Sequence, residues 1–94
     1  MPKLHEITKG VLVFHCPGCG YDHPFHVAGS FHPRNQIWQW NGSYERPTFT
    51  PSLMVFKSDP AHRCHSFVKD GNIQFLSDCW HSLANKTVEL PEYD

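Results

Sequence analysis

The chain has 94 residues, with 8 Lys and Arg against 9 Asp and Glu and a formal net charge of −1; that length holds one domain, and that charge leaves no electrostatic footprint for tracking nucleic-acid phosphates. The longest apolar runs, Val11-Leu12-Val13-Phe14 among them, fall far short of the ~18–20 residues of a membrane span, and Met1-Pro2-Lys3-Leu4-His5-Glu6 lacks the apolar stretch of a signal peptide. What remains to be explained is the presence of 8 His and 4 Cys in so short a chain.

Eight Pro and six Gly cut the sequence into short segments, the pattern of a turn-rich β structure. Aromatic and β-branched residues predict strands over Val11–His15, 25–28, 37–40, 48–56, Cys64–Lys69, 72–76 and 87–90. Pro47 and Pro51 bracket Thr48-Phe49-Thr50, so that strand is expected at an edge or to start after a bulge at Pro51. Asn41-Gly42 and Asp70-Gly71 are the strongest hairpin signals. One short helix is expected over 79–84, capped by Asp78 and ended by Asn85 in the left-handed conformation. The tail 91–94 is expected to fray. The fold class that follows is a small all-β, or β-rich α+β, single domain over residues 1–94, built of antiparallel hairpins and a zinc knuckle.

Cys16-Pro17-Gly18-Cys19-Gly20 carries the sharpest chemistry. Two thiolates two residues apart grip one ion if the chain between them turns tightly. Pro17 presets φ for that turn, and Gly18 and Gly20 allow backbone N–H groups to face the sulfurs. A redox dithiol of the thioredoxin type would instead open a helix in a βαβ unit, which the β-rich flanks do not suggest. A knuckle supplies half a tetrahedron, and the other cysteines are Cys64 and Cys79. A two-residue turn at Asp70-Gly71 pairs Lys69 with Asn72 and Val68 with Ile73. It then puts Cys64, Ser66 and Val68 on one face with Ile73 and Phe75, and His65 on the other, beside Leu76. Cys79 lies diagonally beyond Ser77 on the Cys64 side. The expected site is therefore Cys16, Cys19, Cys64 and Cys79 around a structural Zn²⁺, with iron as the second choice of ion and His81 as the alternative ligand.

The histidines His5, His15, His23, His26, His32 and His62 read as surface or turn residues, with His15 and His26 near enough to the knuckle to donate to its ligands. His65 and His81 flank presumed ligands and invite a further role. A closed four-cysteine zinc has no water position, so catalysis would need an open site or chemistry run by histidine. The chain order shows no Ser/His/Asp motif, phosphate cradle or paired carboxylates. Trp38 and Trp40 share one strand face. They pack in the core or, with Tyr44 and Arg46, form a binding surface.

The Cys16–Gly20 knuckle, Trp40-Asn41-Gly42 with Arg46-Pro47-Thr48-Phe49-Thr50-Pro51-Ser52, and the block from Cys64-His65-Ser66-Phe67-Val68 through Asp78-Cys79 and His81 to Thr87-Val88 resemble a family of small phage and prophage proteins. Most of that family has no known function. Its members are often labelled ammonia monooxygenase, a name that belongs to a membrane-bound copper complex and does not suit a chain without a span. Many relatives carry a longer insertion where residues 57–63 are short here, and Asn85 stands where Gly is usual. The resemblance implies residence in the cytoplasm of an infected bacterium, where thiols stay reduced.

Three functions follow as expectations. The first is a zinc-stabilised accessory module that binds a host or phage protein, interference with a host defence system being one form of it. The second is a metal- or histidine-dependent hydrolase using His65, His81 and Asp78. The third is a nucleic-acid-binding zinc ribbon, which the near-neutral charge disfavours as the main activity.

Overall fold

A computed structural model describes residues 2–30 and 36–93. Among them the strands are β1 (His5–Thr8), β2 (Val11–His15), β3 (Asp22–His26), β4 (Gln39–Trp40), β5 (Phe49–Val55), β6 (Cys64–Lys69), β7 (Asn72–Phe75) and β8 (Thr87–Glu89). Hydrogen bonding joins them into two antiparallel sheets, β1-β2-β3 and β4-β5-β6-β7-β8. The small all-β domain expected from turn spacing and strand composition is the one observed. No helix among the described residues is long and apolar enough to cross a membrane.

The core lies between the sheets. Leu12, Phe14 and Phe25 from the first meet Phe49, Leu53, Val68, Ile73 and Phe75 from the second, all of them buried. The Phe25 and Phe49 rings stack at 4.0 Å, and Phe14 lies 5.9 Å from Phe49. Aromatic rings meeting across two sheets supply much of the apolar area that so short a chain can bury. Trp38, Trp40 and Tyr44 pack against this cluster, half-buried, and the two indole N–H groups donate to the carbonyls of Pro51 and Ser43. Arg46 reaches Asp70 at 2.8 Å on the surface.

The Asp70-Gly71 turn has φ of 52° and 82°, the left-handed pair that a two-residue hairpin requires. It sets the expected register, Lys69 opposite Asn72, Val68 opposite Ile73 and Ser66 opposite Phe75. Cys64, Ser66 and Val68 consequently point into the core, and His65, Phe67 and Lys69 point out. Asn41 and Gly42 instead open a longer β4–β5 connection. There the Asn41 side chain accepts from the amides of Ser43 and Thr48 and donates to Arg46 O.

The two alternatives for the strand at Pro51 separate cleanly. β5 lies between β4 and β6, so it is not an edge, and its register with β6 is irregular between Phe49 and Leu53. Phe49 pairs with Val68 but Leu53 pairs with Ser66, so β5 carries extra residues around Pro51, which has no N–H to offer the ladder. The Thr50–Pro51 bond is cis.

The helix expected over 79–84 is absent: this segment is a run of turns. Other partners, one tertiary and one a neighbouring side chain, take backbone groups that a helix would use. Trp80 N donates to Arg63 O, and Leu83 N donates to the His81 ring rather than to a carbonyl one turn back. Asn85 does take the left-handed conformation, with φ of 67°, but it closes a turn. β1, which sequence reading omits, is exposed along its whole length and so carries no amphipathic signal. The tail is tied down as far as Tyr93, whose amide donates to Pro2 O and whose hydroxyl donates to Asp22. His32 lies outside the described residues.

Candidate functional site

Cys16 follows directly on β2, and the chain turns through Gly20, with φ of 80°, into Tyr21 and β3. Gly20 N donates to Cys16 O, and Cys16 N donates to Tyr21 O, so the knuckle closes on itself. His23 pairs with Phe14 across β2 and β3 and shares its inward direction; it is 2% exposed. Cys64 enters the same space from the start of β6. Its sulfur lies 4.0 Å from Cys16 Sγ, and thiolates about 2.3 Å from a tetrahedral Zn²⁺ stand about 3.8 Å apart. One donor atom from each of Cys16, Cys19, His23 and Cys64 lies within 4.8 Å of all the others. Cys64, Cys79 and His81 form a second group by the same measure. The expected four cysteines are thus divided between two groups that share Cys64. All four are free thiols.

Each knuckle sulfur, and Cys64, is met by an N–H group. Cys19 N donates to Cys16 Sγ at 3.4 Å, Trp80 Nε1 donates to Cys19 Sγ at 3.4 Å, and His81 Nε2 lies 3.5 Å from Cys64 Sγ. His81 Nδ1 accepts from Leu83 N at 3.2 Å, so the ring proton of the neutral imidazole sits on Nε2 and points at Cys64. The Cys16 thiol is pulled far down, first by its contact with Cys64 and further by His23, while Cys64 is pushed up by the same contact and by burial. Burial raises Cys19.

Gly18 shows how tightly this packs. A Cβ there would stand 2.2–2.5 Å from three atoms of the His81 ring, which is itself held edge-on to Phe75 at 4.5 Å. Gly18→Ala is therefore expected to destabilise the domain by about 1–3 kcal/mol, the usual cost of overpacking. A thermal melt within one degree of wild type would contradict this contact.

On the opposite face of β6 stands a second constellation. His65 Nε2 lies 2.9 Å from Ser52 Oγ, and His65 Nδ1 lies 3.3 Å from Asp78 Oδ2. Met54 pairs with His65, and Ser52, two residues earlier on β5, reaches the imidazole diagonally. Ser52 leaves the irregular stretch at Pro51, whose carbonyl is fixed by Trp38 Nε1 at 2.9 Å. Asp78 comes from the turn after β7, where Leu76 N donates to His65 O at 2.9 Å. The His65 side chain is mostly covered (22% exposed) and that of Asp78 is more open (36%), so the imidazole is sheltered while one side stays accessible. A hydroxyl on one imidazole nitrogen and a carboxylate on the other is the arrangement that activates a serine.

Of the residues singled out from sequence, Cys16, Cys19 and Cys64 meet, and His65 meets Asp78. His81 sits on Cys64 and not beside His65. Ser52 and His23 are the two residues that sequence reading missed. His23 carried a usable signal, since its alternation with Phe25 in the strand after the knuckle directs it inward with Phe14. Among the described residues the other histidines have partners elsewhere: His15 with Asp22, His62 with Asp59, His26 with Ser30, and His5 stacked on Tyr93.

Residues 3–76 match the family described as "Bacterial ubiquitination-like system serine protease (BubE)", and the chain belongs to that family. No curated protein and no solved structure matches it. The matched segment contains Ser52, His65, Cys16, Cys19, His23 and Cys64; Asp78, Cys79 and His81 lie beyond it. The family description names a serine protease of a bacterial system, where the motifs alone suggested phage proteins of unknown function.

Proposed function

We propose that the protein is a serine-type acyl hydrolase of a bacterial ubiquitination-like system, with Ser52 as nucleophile, His65 as general base and acid, and Asp78 orienting His65. The observation that carries this reading is the Ser52 Oγ–His65 Nε2 approach of 2.9 Å with Asp78 on the far nitrogen. The family description points the same way independently. Ser52 Oγ attacks the acyl carbon of a peptide, isopeptide or ester bond while His65 Nε2 takes the hydroxyl proton. His65 then returns that proton to the departing amine or alcohol, leaving an acyl ester on Ser52. Water, deprotonated by His65, releases the acid and restores the serine.

The cysteine–histidine groups on the inner face of β6 support a structural metal, and sulfur-rich tetrahedral donors favour Zn²⁺ over iron. Donors that close the site leave no position for water, which assigns bond cleavage to Ser52. The protein partner expected from the sequence becomes the polypeptide whose acyl bond is cut, in a cytoplasm reducing enough to keep the thiols free.

The test uses Asp78→Asn. The amide keeps the shape but favours the wrong tautomer of His65, and the comparable change in an established triad costs about 10⁴-fold in turnover. A loss of at least 100-fold in reaction with a fluorophosphonate probe, with melting temperature unchanged, is expected. An unchanged rate would remove Asp78 from the mechanism.

A further inference from the structure

The thiols and imidazoles around Cys64 number more than one ion can use, and their hydrogen bonds sort them. We infer that the metal is held by Cys16, Cys19, His23 and Cys64, and that Cys79 is a positioning residue that clamps the backbone of His65. The second half rests on the triad reading; the first does not.

His23 is the fourth donor because its Nε2 is enclosed and has no hydrogen-bond partner. A buried ring nitrogen left unpaired costs about 1–3 kcal/mol, and the His23 ring has a nitrogen within 4.8 Å of the three sulfurs, where a shared ion would offset that cost. His81 is unsuited to the role. Its Nδ1 is occupied by Leu83 N–H, so its Nε2 carries a proton and serves Cys64 as a donor. Cys79 is also occupied. Its sulfur accepts from His65 N at 3.2 Å and donates to His65 O at 3.1 Å.

Those two bonds give Cys79 a different task. The residue before it in the chain, Asp78, holds the His65 ring, and Cys79 holds the His65 main chain, so one short turn fixes the histidine at both ends. The residue before His65 is Cys64, a ligand. Metal centre and catalytic base are therefore mounted on one dipeptide, its two side chains on opposite faces of β6.

The experiment measures zinc content and the zinc X-ray absorption shell in wild type, His23→Ala, Cys79→Ala and Cys79→Ser, and the rate at which a fluorophosphonate labels Ser52 in each. Wild type is expected to hold one zinc among three sulfurs and one nitrogen. His23→Ala should bind Zn²⁺ more weakly than the ~10–100-fold loss typical of an outer partner. Cys79→Ala should keep its zinc but label about 10–100-fold more slowly, the usual effect of a displaced catalytic group. Cys79→Ser should recover most of that rate, because a hydroxyl also donates and accepts. A four-sulfur shell, or zinc lost from both Cys79 variants, overturns the ligand set. Labelling of Cys79→Ala at the wild-type rate overturns the clamp. Absence of Ser52 labelling in zinc-loaded wild type overturns the triad and the clamp together, while the sulfur count still judges the ligands.

Discussion

Ser52→Ala is expected to reduce fluorophosphonate labelling and substrate turnover to background, a loss of about 10⁴-fold or more, since removing the nucleophile of a triad costs as much as removing the whole triad. The fold should be untouched. Ser52 is half-buried and outside the buried core, and its hydroxyl is hydrogen-bonded to His65. Loss of that one hydrogen bond costs about 0.5–1.5 kcal/mol. Activity and stability are thus predicted to separate, which distinguishes a catalytic serine from a structural one. Activity that survives in Ser52→Ala would return the chemistry to another group.

Removing the metal should have the reverse signature. A domain of this size is stable by about 5–15 kcal/mol in total, and a structural zinc contributes on the order of 10 kcal/mol to the folded state. Cys16 and Cys64 are both fully buried, at the end of β2 and the start of β6, so an ion held between them would join the two sheets. EDTA treatment, or Cys16→Ser, is expected to unfold the chain as seen by far-ultraviolet circular dichroism, and labelling of Ser52 should vanish with the fold. Unchanged melting after verified metal removal would contradict the structural role.

The part of the site that was legible in sequence is the part built on local rules. Asp70-Gly71 determines a turn, the turn determines the β6–β7 register, and the register puts Cys64 inside and His65 outside. The knuckle residues are equally local. Ser52 was not legible, because its place beside His65 depends on the extra residues that β5 carries around Pro51, and a proline in a strand reads as an edge or an end. A triad also has no fixed chain order, so Ser52, His65 and Asp78 leave no motif. The segment after Asp78 misled for a related reason. Its capping and spacing suit a helix, but Cys79, Trp80 and His81 are each engaged by β6 or the knuckle, and these tertiary contacts outweigh local propensity. His23 was passed over because a lone histidine in a short strand is ordinarily a surface residue. Its alternation with Phe25 marks the inward face, and the pairing of β2 with β3 completes its burial.

Whether Ser52 is a nucleophile activated by His65 is decided by peptide mapping of the fluorophosphonate-treated, zinc-loaded protein. One adduct per chain is expected, on the peptide containing Ser52, and none on folded His65→Ala. No adduct in the folded protein, or an adduct on a different residue, would contradict it.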